Sequence, residues 1–337
     1  MKISASIFAQ NTLDFNVITN EMRKIGVEYL HIDCQYPEDI IAFLEKCGHF
    51  ASIPFDFHLI YPSHSLLEAL EFVEKGKFNR ICLQFENFDT IPQLFFKSSI
   101  KKGLALKTVT AIEAIEKNIL DQIDFLMLMC TEPGVSGGQF DKHNFSKIHQ
   151  LKAVSKQLKI TVDGGVNDEI AYILRLLDVD TIVLGSYLMK DENFGLNLLH
   201  LMRSSPGNTF KVKDFMQPIS EDWLVEETNI DFKLIVEKIH QSGIGMSFVV
   251  DNDGKLSAIA TNADIRKGIL SNWGDLNNIH KTTYLNYAPI VINENLSTYE
   301  MLKTINHFDR VILFLPVVDD SKKLIGLLPL QNLTKTI

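Results

Sequence analysis

The chain has 337 residues, 46% hydrophobic and 22% charged, enough for one large core or two smaller ones; two domains are the default expectation and bulk disorder is excluded. A net charge of −9 with no basic run argues against a nucleic-acid partner. The stretch ISASIFAQN after Lys2 is too short and polar for a signal sequence, and no run approaches a membrane span, so a soluble, cytoplasmic protein without membrane contact is expected.

Strand-like runs follow one another at 2–8, 29–34, 54–60, 80–86, 102–107, 125–130, 159–165 and 181–186. Segments with helical spacing lie between them: Leu13, Val17, Met22 and Ile25; Ile40, Ala42 and Phe43; Leu66, Leu70 and Phe72; Ile170, Ile173 and Leu176. Strands alternating with helices predict parallel pairing through right-handed crossovers, and eight such units close into an α/β fold of the (β/α)8 TIM-barrel type. An open doubly wound sheet is the alternative; the barrel is preferred because no GxGxxG follows the first strand. The cysteines Cys34, Cys47, Cys82 and Cys130 form no CxxC pair and read as reduced, packed thiols.

Polar residues fall at the C-terminal ends of these runs, where a barrel of this kind carries its chemistry. In YLHIDC, alternation aims His31 and Asp33 to one face and Leu30, Ile32 and Cys34 to the other. Taken alone, such a pair reads as polar groups satisfied near a strand end. His58 ends the third run, Glu86 the fourth and Asp163 the seventh, so several strands converge on one mouth. Two imidazoles and two carboxylates, from His31, Asp33, His58 and Asp163, suit a divalent transition metal such as Zn, Fe(II) or Mn.

Together HIDCQ, DFHLI, MCTEPGVSGGQF, TVDGGVN and VLGS, with ASIF near the start, resemble the ribulose-phosphate 3-epimerase family, which also contains allulose-phosphate epimerases, over residues 1 to 195. The resemblance implies a phosphorylated ketose as substrate and a metal on His31, Asp33, His58 and Asp163, with Asp33 and Asp163 also moving the proton. It further implies that Ser6 contacts substrate, that Met129 lies near the reacting carbon, and that Gly137, Gly138, Gly164, Gly165, Gly185 and Ser186 grip the phosphate, aided by the N-terminus of a short helix. Epimerisation beside a ketone needs a proton removed on one face and returned on the other, so two carboxylates from opposite sides of the barrel fit the task. Gly134 reads as an ordinary loop glycine.

The sequence departs from the family pattern at the mouth. Where the family continues HxDxMDG into a covering loop, HIDCQYPED runs from Gln35 through Tyr36 and Pro37 straight to a helix, which predicts a lost lid. Family thioethers become Gln35 and Ile60, a histidine becomes Gln84, and a serine becomes Ala9. The expectation is an active epimerase with an altered substrate. The rivals are a catalytically silent phosphosugar-binding barrel and a Schiff-base aldolase using Lys107.

The texture changes after Leu201. SSPGN, at 204–208, reads as a linker, giving expected bounds of 1–203 for the barrel, 204–215 for the linker and 216–337 for the rest. There FVVDNDGKLSAIATNADIRKG aligns with PVVDDSKKLIGLLPLQNLTKT at an offset of 68, pairing Val250 with Val318, Asp251 with Asp319, Leu256 with Leu324 and Ile259 with Leu327. Each copy reads strand, turn, strand, helix, and the pair resembles a tandem of CBS modules. The resemblance implies an adenine nucleotide as effector, with Thr261 and Asp264 of TNAD as ribose contacts. The aligned Pro329 and Asn332 impair the second site. Dimerisation alone is the competing role of this module, and a homo-oligomer is expected.

Overall fold

Eight parallel strands close on themselves in chain order in the computed structural model. The structure describes residues 1–6, 15–35, 53–60, 78–97, 100–135, 137–190, 193–203, 207–308 and 312–334. The helices expected around 40–43 and 66–72, the shortened loop after Gln35, Ala9, Leu13, Cys47 and the start of the linker lie outside the described residues. The chain divides into two units, Met1–Pro206 with Asn332–Ile337, and Gly207–Gln331.

In the first unit the strands are β1 (Lys2–Ser6), β2 (Tyr29–Cys34), β3 (Phe55–Leu59), β4 (Phe78–Gln84), β5 (Lys101–Lys107), β6 (Phe125–Met129), β7 (Lys159–Asp163) and β8 (Thr181–Leu184). The described helices are α1 (Phe15–Lys24), α2 (Gln93–Lys97), α3 (Lys117–Leu120), α4 (His143–Val154), α5 (Asp168–Leu176) and α6 (Phe194–Arg203). Each strand is buried on both faces. Leu30, Ile32, Phe57, Leu83, Leu104, Leu126, Val162 and Ile182 alternate with residues of the barrel interior, which is the near-continuous apolar pattern of a helix-covered parallel sheet. Cys82, Ala105, Phe125, Met127, Met129 and Val183 form one apolar cluster inside. Gly103 belongs to that design, because a Cβ there would run into the Phe125 ring. On α5, Ile170, Ile173 and Leu176 are buried as their spacing predicts, and Asn167 caps the helix by accepting from the Ile170 amide at 3.0 Å.

Several strands stop earlier than the apolar runs suggest. β4 ends at Gln84, leaving Glu86 in a 3-10 turn, Phe85–Asn87. β7 ends at Asp163 because Gly164 and Gly165 turn the backbone to φ +104° and +66°, which a ladder does not tolerate. Asp33 and Asp163 do not stand on diametrically opposite sides, since β2 and β7 lie three steps apart along β2-β1-β8-β7.

The second unit holds α7 (Val212–Phe215), β9 (Gln217–Pro218), β10 (Leu224–Glu226), α8 (Phe232–Ser242), β11 (Met246–Val250), β12 (Leu256–Thr261), α9 (Asn262–Ser271), β13 (Ile292–Asn293), α10 (Thr298–Ile305), β14 (Phe314–Val318) and β15 (Leu324–Pro329). The sheets run β10-β11-β12 and β13-β14-β15-β9, so the strand preceding the first copy completes the sheet of the second. The repeat holds residue for residue. β11 and β14, and β12 and β15, coincide at the 68-residue offset, each hairpin carrying its register shift at Val249/Val250 or Val317/Val318. Asp251 Oδ1 accepts from the Asp253 and Lys255 amides, as Asp319 Oδ1 does from Ser321 and Lys323, all at 2.9 Å. One expectation fails: after β15 the chain forms a 3-10 turn, Leu330–Thr334, in place of the helix of the first copy. Pro329 provides a local reason, since it lacks the N–H that would continue the ladder or cap a helix. Among the described residues no helix is long and apolar enough to cross a membrane.

The matched hairpins supply a test. The left-handed position is Gly254 (φ +79°) in one and Lys322 (φ +68°) in the other. Lys322→Gly should stabilise the protein and Gly254→Ala destabilise it, each by about 1 kcal/mol, read from denaturant midpoints.

Candidate metal and active site

Three strand ends build the site. In the β2–β3 ladder Asp33 lies beside His58 and His31 beside Asp56, and β7 brings Asp163 across the mouth. His31, Asp33, His58 and Asp163 each offer one ligand atom, all within 4.8 Å of one another. Both imidazoles are fully buried, whereas the side chains of Asp33 and Asp163 are 26% and 14% exposed.

The ring nitrogens are sorted by their outer partners. Gln84 donates its amide nitrogen to Glu86 Oε2 at 2.5 Å and to the Ala105 carbonyl at 3.4 Å, leaving Oε1 to accept from His58 Nε2 at 2.9 Å. In the neutral ring His58 Nδ1 then carries no proton, and it faces Asp33 Oδ1 at 3.0 Å, a contact that a shared cation or a second proton on the ring satisfies. His31 Nδ1 donates to Asp56 Oδ2 at 3.3 Å. Its Nε2 is buried without a hydrogen-bond partner, 3.4 Å from Asp33 Oδ1 and 3.7 Å from Asp163 Oδ2. Two nitrogen and two oxygen donors aimed at one point, each imidazole braced from behind, fit a divalent transition metal.

The electrostatics separate the two carboxylates. Burial raises Asp33, but the imidazoles, His31 foremost, outweigh it and hold Asp33 far below the carboxylate range. Burial, with the charges of Asp33 and Asp56 added, pushes Asp163 up to about 6 against the pull of His31 and His58. Burial pulls His31 down, yet Asp33 and Asp56 hold it well above its ordinary value. Asp56 settles at about 2, since the Arg80 guanidinium and the His31 hydrogen bond overcome its burial.

Around this centre Ser6 lies in register with His31, and Met129 with Asp163. The loops after β6 and β7 interlock on Thr131, because a Cβ on Gly138 or on Gly164 would collide with its side chain. Gly165 meets the Phe140 backbone in the same way, while Gly137 (φ +87°) has open space beside it. After β8, Gly185 and Ser186 open a single turn closed by the Met189 amide on the Gly185 carbonyl at 3.1 Å. Gly134 is not an ordinary loop glycine either. It adopts φ +74°, and the Gln35 amide occupies the place of its Cβ with Ile60 beside it. Lys107 Nζ is paired with Glu132 at 2.9 Å, which leaves the Schiff-base reading without support.

Glu86, expected to face the mouth, lies outside the four-residue cluster. It anchors Gln84 and accepts from the Lys107 amide at 2.8 Å and the Thr110 hydroxyl at 2.5 Å. Sequence reasoning missed Asp56, Arg80 and the role of Gln84. Asp56 was discoverable, since FDFHLI repeats the alternation of HID and puts Asp56 on the face of His58.

In the second unit Thr261 and Asp264 meet, but on each other. Thr261 caps α9 and accepts from the Asp264 amide at 3.3 Å, while Asp264 Oδ2 accepts from the Thr261 amide at 3.1 Å and hydroxyl at 2.6 Å. Asp264 Oδ1 lies 3.2 Å from Lys267 Nζ.

Residues 2–189 match the family described as "Ribulose-phosphate 3 epimerase family". The chain belongs to that family. A ribulose-phosphate 3-epimerase of Helicobacter pylori is 27% identical over 205 residues, covering 57% of this chain and 93% of that protein. One of Aquifex aeolicus is 30% identical over 175 residues, covering 48% and 77%. Residues 283–337 match the CBS domain, which the 68-residue repeat extends to a pair. A CBS domain-containing protein from Bacillus anthracis is similar at 22% identity and a TM-score of 0.32, covering 37% of this chain and 91% of that one.

The raised Asp163 has a stability consequence. With a folded-state pKa of about 6, above the unfolded value, its contribution is complete below the unfolded pKa and is lost as pH rises through 6. Asp163→Asn should therefore stabilise the chelator-treated protein at pH 7.5, by on the order of 2 kcal/mol, the gain narrowing as pH is lowered to 5. Denaturation of both proteins across that range measures it.

Proposed function

We propose that the barrel inverts the carbon beside the ketone of a ketose phosphate, of the ribulose 5-phosphate/xylulose 5-phosphate type or a related phosphosugar. The observation that carries this reading is the cluster of His31, Asp33, His58 and Asp163, in which two carboxylates within 4.8 Å of each other's reach differ strongly in proton affinity. Pairs of acids pushed apart by their surroundings mark acid and base assignments. The relatives named ribulose-phosphate 3-epimerase point the same way.

Asp33, ionised, removes the proton from one face of the carbon. Asp163, whose proton affinity is the higher of the two, returns one to the other face, and the roles exchange for the opposite epimer. His31, Asp33, His58 and Asp163 would hold a divalent Zn, Fe(II) or Mn, which when bound would supply positive charge against the negative charge that proton removal leaves on the substrate oxygens. His31 and His58 hold their donor nitrogens toward that point through Asp56 and Gln84. Backbone amides of Gly137, Gly138, Gly164, Gly165, Gly185 and Ser186 receive the phosphate, and the open space beside Gly137 lets it approach the main chain there. Ser6 and Met129 flank the sugar. Gln35 and Ile60, with Gln84 behind His58, distinguish this site, and with it the choice of sugar, from the family pattern.

Residues 216–337 act in this reading as the regulatory part, with one adenine nucleotide at Thr261 and Asp264. Support comes from the placement of both residues where β12 passes into α9, so that a ribose near Asp264 sets phosphate toward the helix N-terminus. A ribose hydroxyl would have to replace the Lys267 contact on Asp264. Assembly without nucleotide is the rival.

In D2O the parent enzyme should incorporate deuterium beside the ketone of its substrate, followed by NMR over a panel of ketose phosphates. Asp163→Asn should lower that rate by about 10²- to 10⁴-fold while leaving inorganic phosphate binding nearly unchanged. Metal analysis should find one transition-metal ion per chain, lost in His58→Ala; protein never exposed to chelator and carrying none would refute the metal reading.

For the second unit, calorimetric titration with AMP, ADP and ATP should show binding that Asp264→Ala removes. No heat from any of them assigns the module to assembly. Bound nucleotide must also change epimerase rate or phosphosugar affinity, since an effector without preference between states shifts nothing.

A further inference from the structure

Arg80 opens an apolar run and touches no ligand residue, yet it is 4% exposed and lies inside the barrel floor. Its guanidinium donates to Thr161 Oγ1 at 2.7 Å and to Thr181 Oγ1 at 3.3 Å. Nε stands 3.0 Å from Asp56 Oδ1, an ion pair off the N–H axis. The planar face covers the Phe125 ring at 3.9 Å and lies 5.1 Å from Tyr29. These partners come from β7, β8, β3, β6 and β2, so with β4 itself one side chain ties six of the eight strands.

The pattern of the partners carries the inference. Tyr29 lies two residues below His31, Asp56 two below His58 and Thr161 two below Asp163, each pair on one strand face. Asp56 then extends the contact upward, accepting on Oδ2 from Ser4 Oγ at 2.9 Å and from His31 Nδ1 at 3.3 Å. We propose that Arg80 is a positioning residue of the metal site: it fixes the Asp56 carboxylate, which in turn keeps His31 with Nδ1 protonated and Nε2 turned toward Asp33 and Asp163. This rests on His31, Asp33, His58 and Asp163 being metal ligands. A guanidinium suits the place because its rigid fork serves one carboxylate and two hydroxyls while its face stacks on a ring. An ammonium offers a point charge and cannot reach all four at once.

The test uses full-length protein stripped by chelator and titrated with zinc against a chromophoric chelator. Arg80→Met, close in volume and without donors, should bind zinc about 10- to 100-fold more weakly, as for loss of a partner behind a ligand. Arg80→Lys should lose affinity measurably but less. If Arg80 acts through Asp56, the double variant with Asp56→Asn should be no weaker than Asp56→Asn alone. The nitrogen-15 shifts of zinc-loaded parent should show His31 with Nδ1 protonated and Nε2 on the metal, an order that Arg80→Met or Arg80→Lys weakens. A merely structural role would lower melting temperatures and leave those shifts unchanged.

Zinc affinity within about twofold of parent in Arg80→Met overturns the proposal, and so do additive losses with Asp56→Asn. Should Arg80→Met not fold, parental affinity in Arg80→Lys, or the opposite tautomer of His31 in the parent, overturns it equally. A parent that takes up no zinc while its fold is intact removes the metal reading itself, and this one with it.

Discussion

Three carboxylates, Asp33, Asp56 and Asp163, meet inside one end of a barrel with little water to screen them, and most of the polar architecture answers that repulsion. Charges this close and this buried persist only when opposite charge and hydrogen bonds surround them. His31 stands among all three, Arg80 backs Asp56, and His58 closes on Asp33. Among the described residues Asp163 shares His31 with the other two carboxylates, and burial raises its proton affinity. The part of the site that is electrostatically least comfortable is thus the part best suited to take up and release a proton.

The layering of the barrel makes this affordable in structural terms. Outward residues such as Leu30, Phe57, Leu83 and Val162 are uniformly apolar, so the strands are held by burial that does not depend on the site. The interior can then be divided: an apolar sector of Cys82, Ala105, Met127, Met129 and Val183, and a polar sector running from Arg80 through Asp56 to His31. Phe125 belongs to both, packed in the cluster and stacked under the guanidinium, and the missing side chain of Gly103 gives it room.

The second unit follows a different logic. Its two hairpins agree in register, bulge, turn and even in the left-handed residue, although one uses glycine and the other lysine. Their continuations diverge: Thr261 opens a capped helix, whereas Pro329 leads into a short 3-10 turn. Backbone geometry is set by the turn chemistry of Asp251 and Asp319, which both copies keep. The surface that could meet a ligand is set by the residues after the second strand, which they do not share.

The barrel, the strand positions, the repeat with its offset, and the four residues of the candidate metal site were legible in the amino-acid order. The first three follow from periodicity and strand alternation, which fix which side chains share a face; the choice of His31, Asp33, His58 and Asp163 also rests on the convergence of strand ends and on the family resemblance. What local pattern left open is that Arg80 lies in the floor, that Glu86 braces Gln84 and does not join the ligands, and that Gly134 is filled by Gln35. It also left open how near β2 and β7 come. Most of these depend on which strand ends adjoin across the closed barrel, a relation between residues far apart in the chain that local pattern cannot encode, because burial and charge pairing are properties of the assembled neighbours.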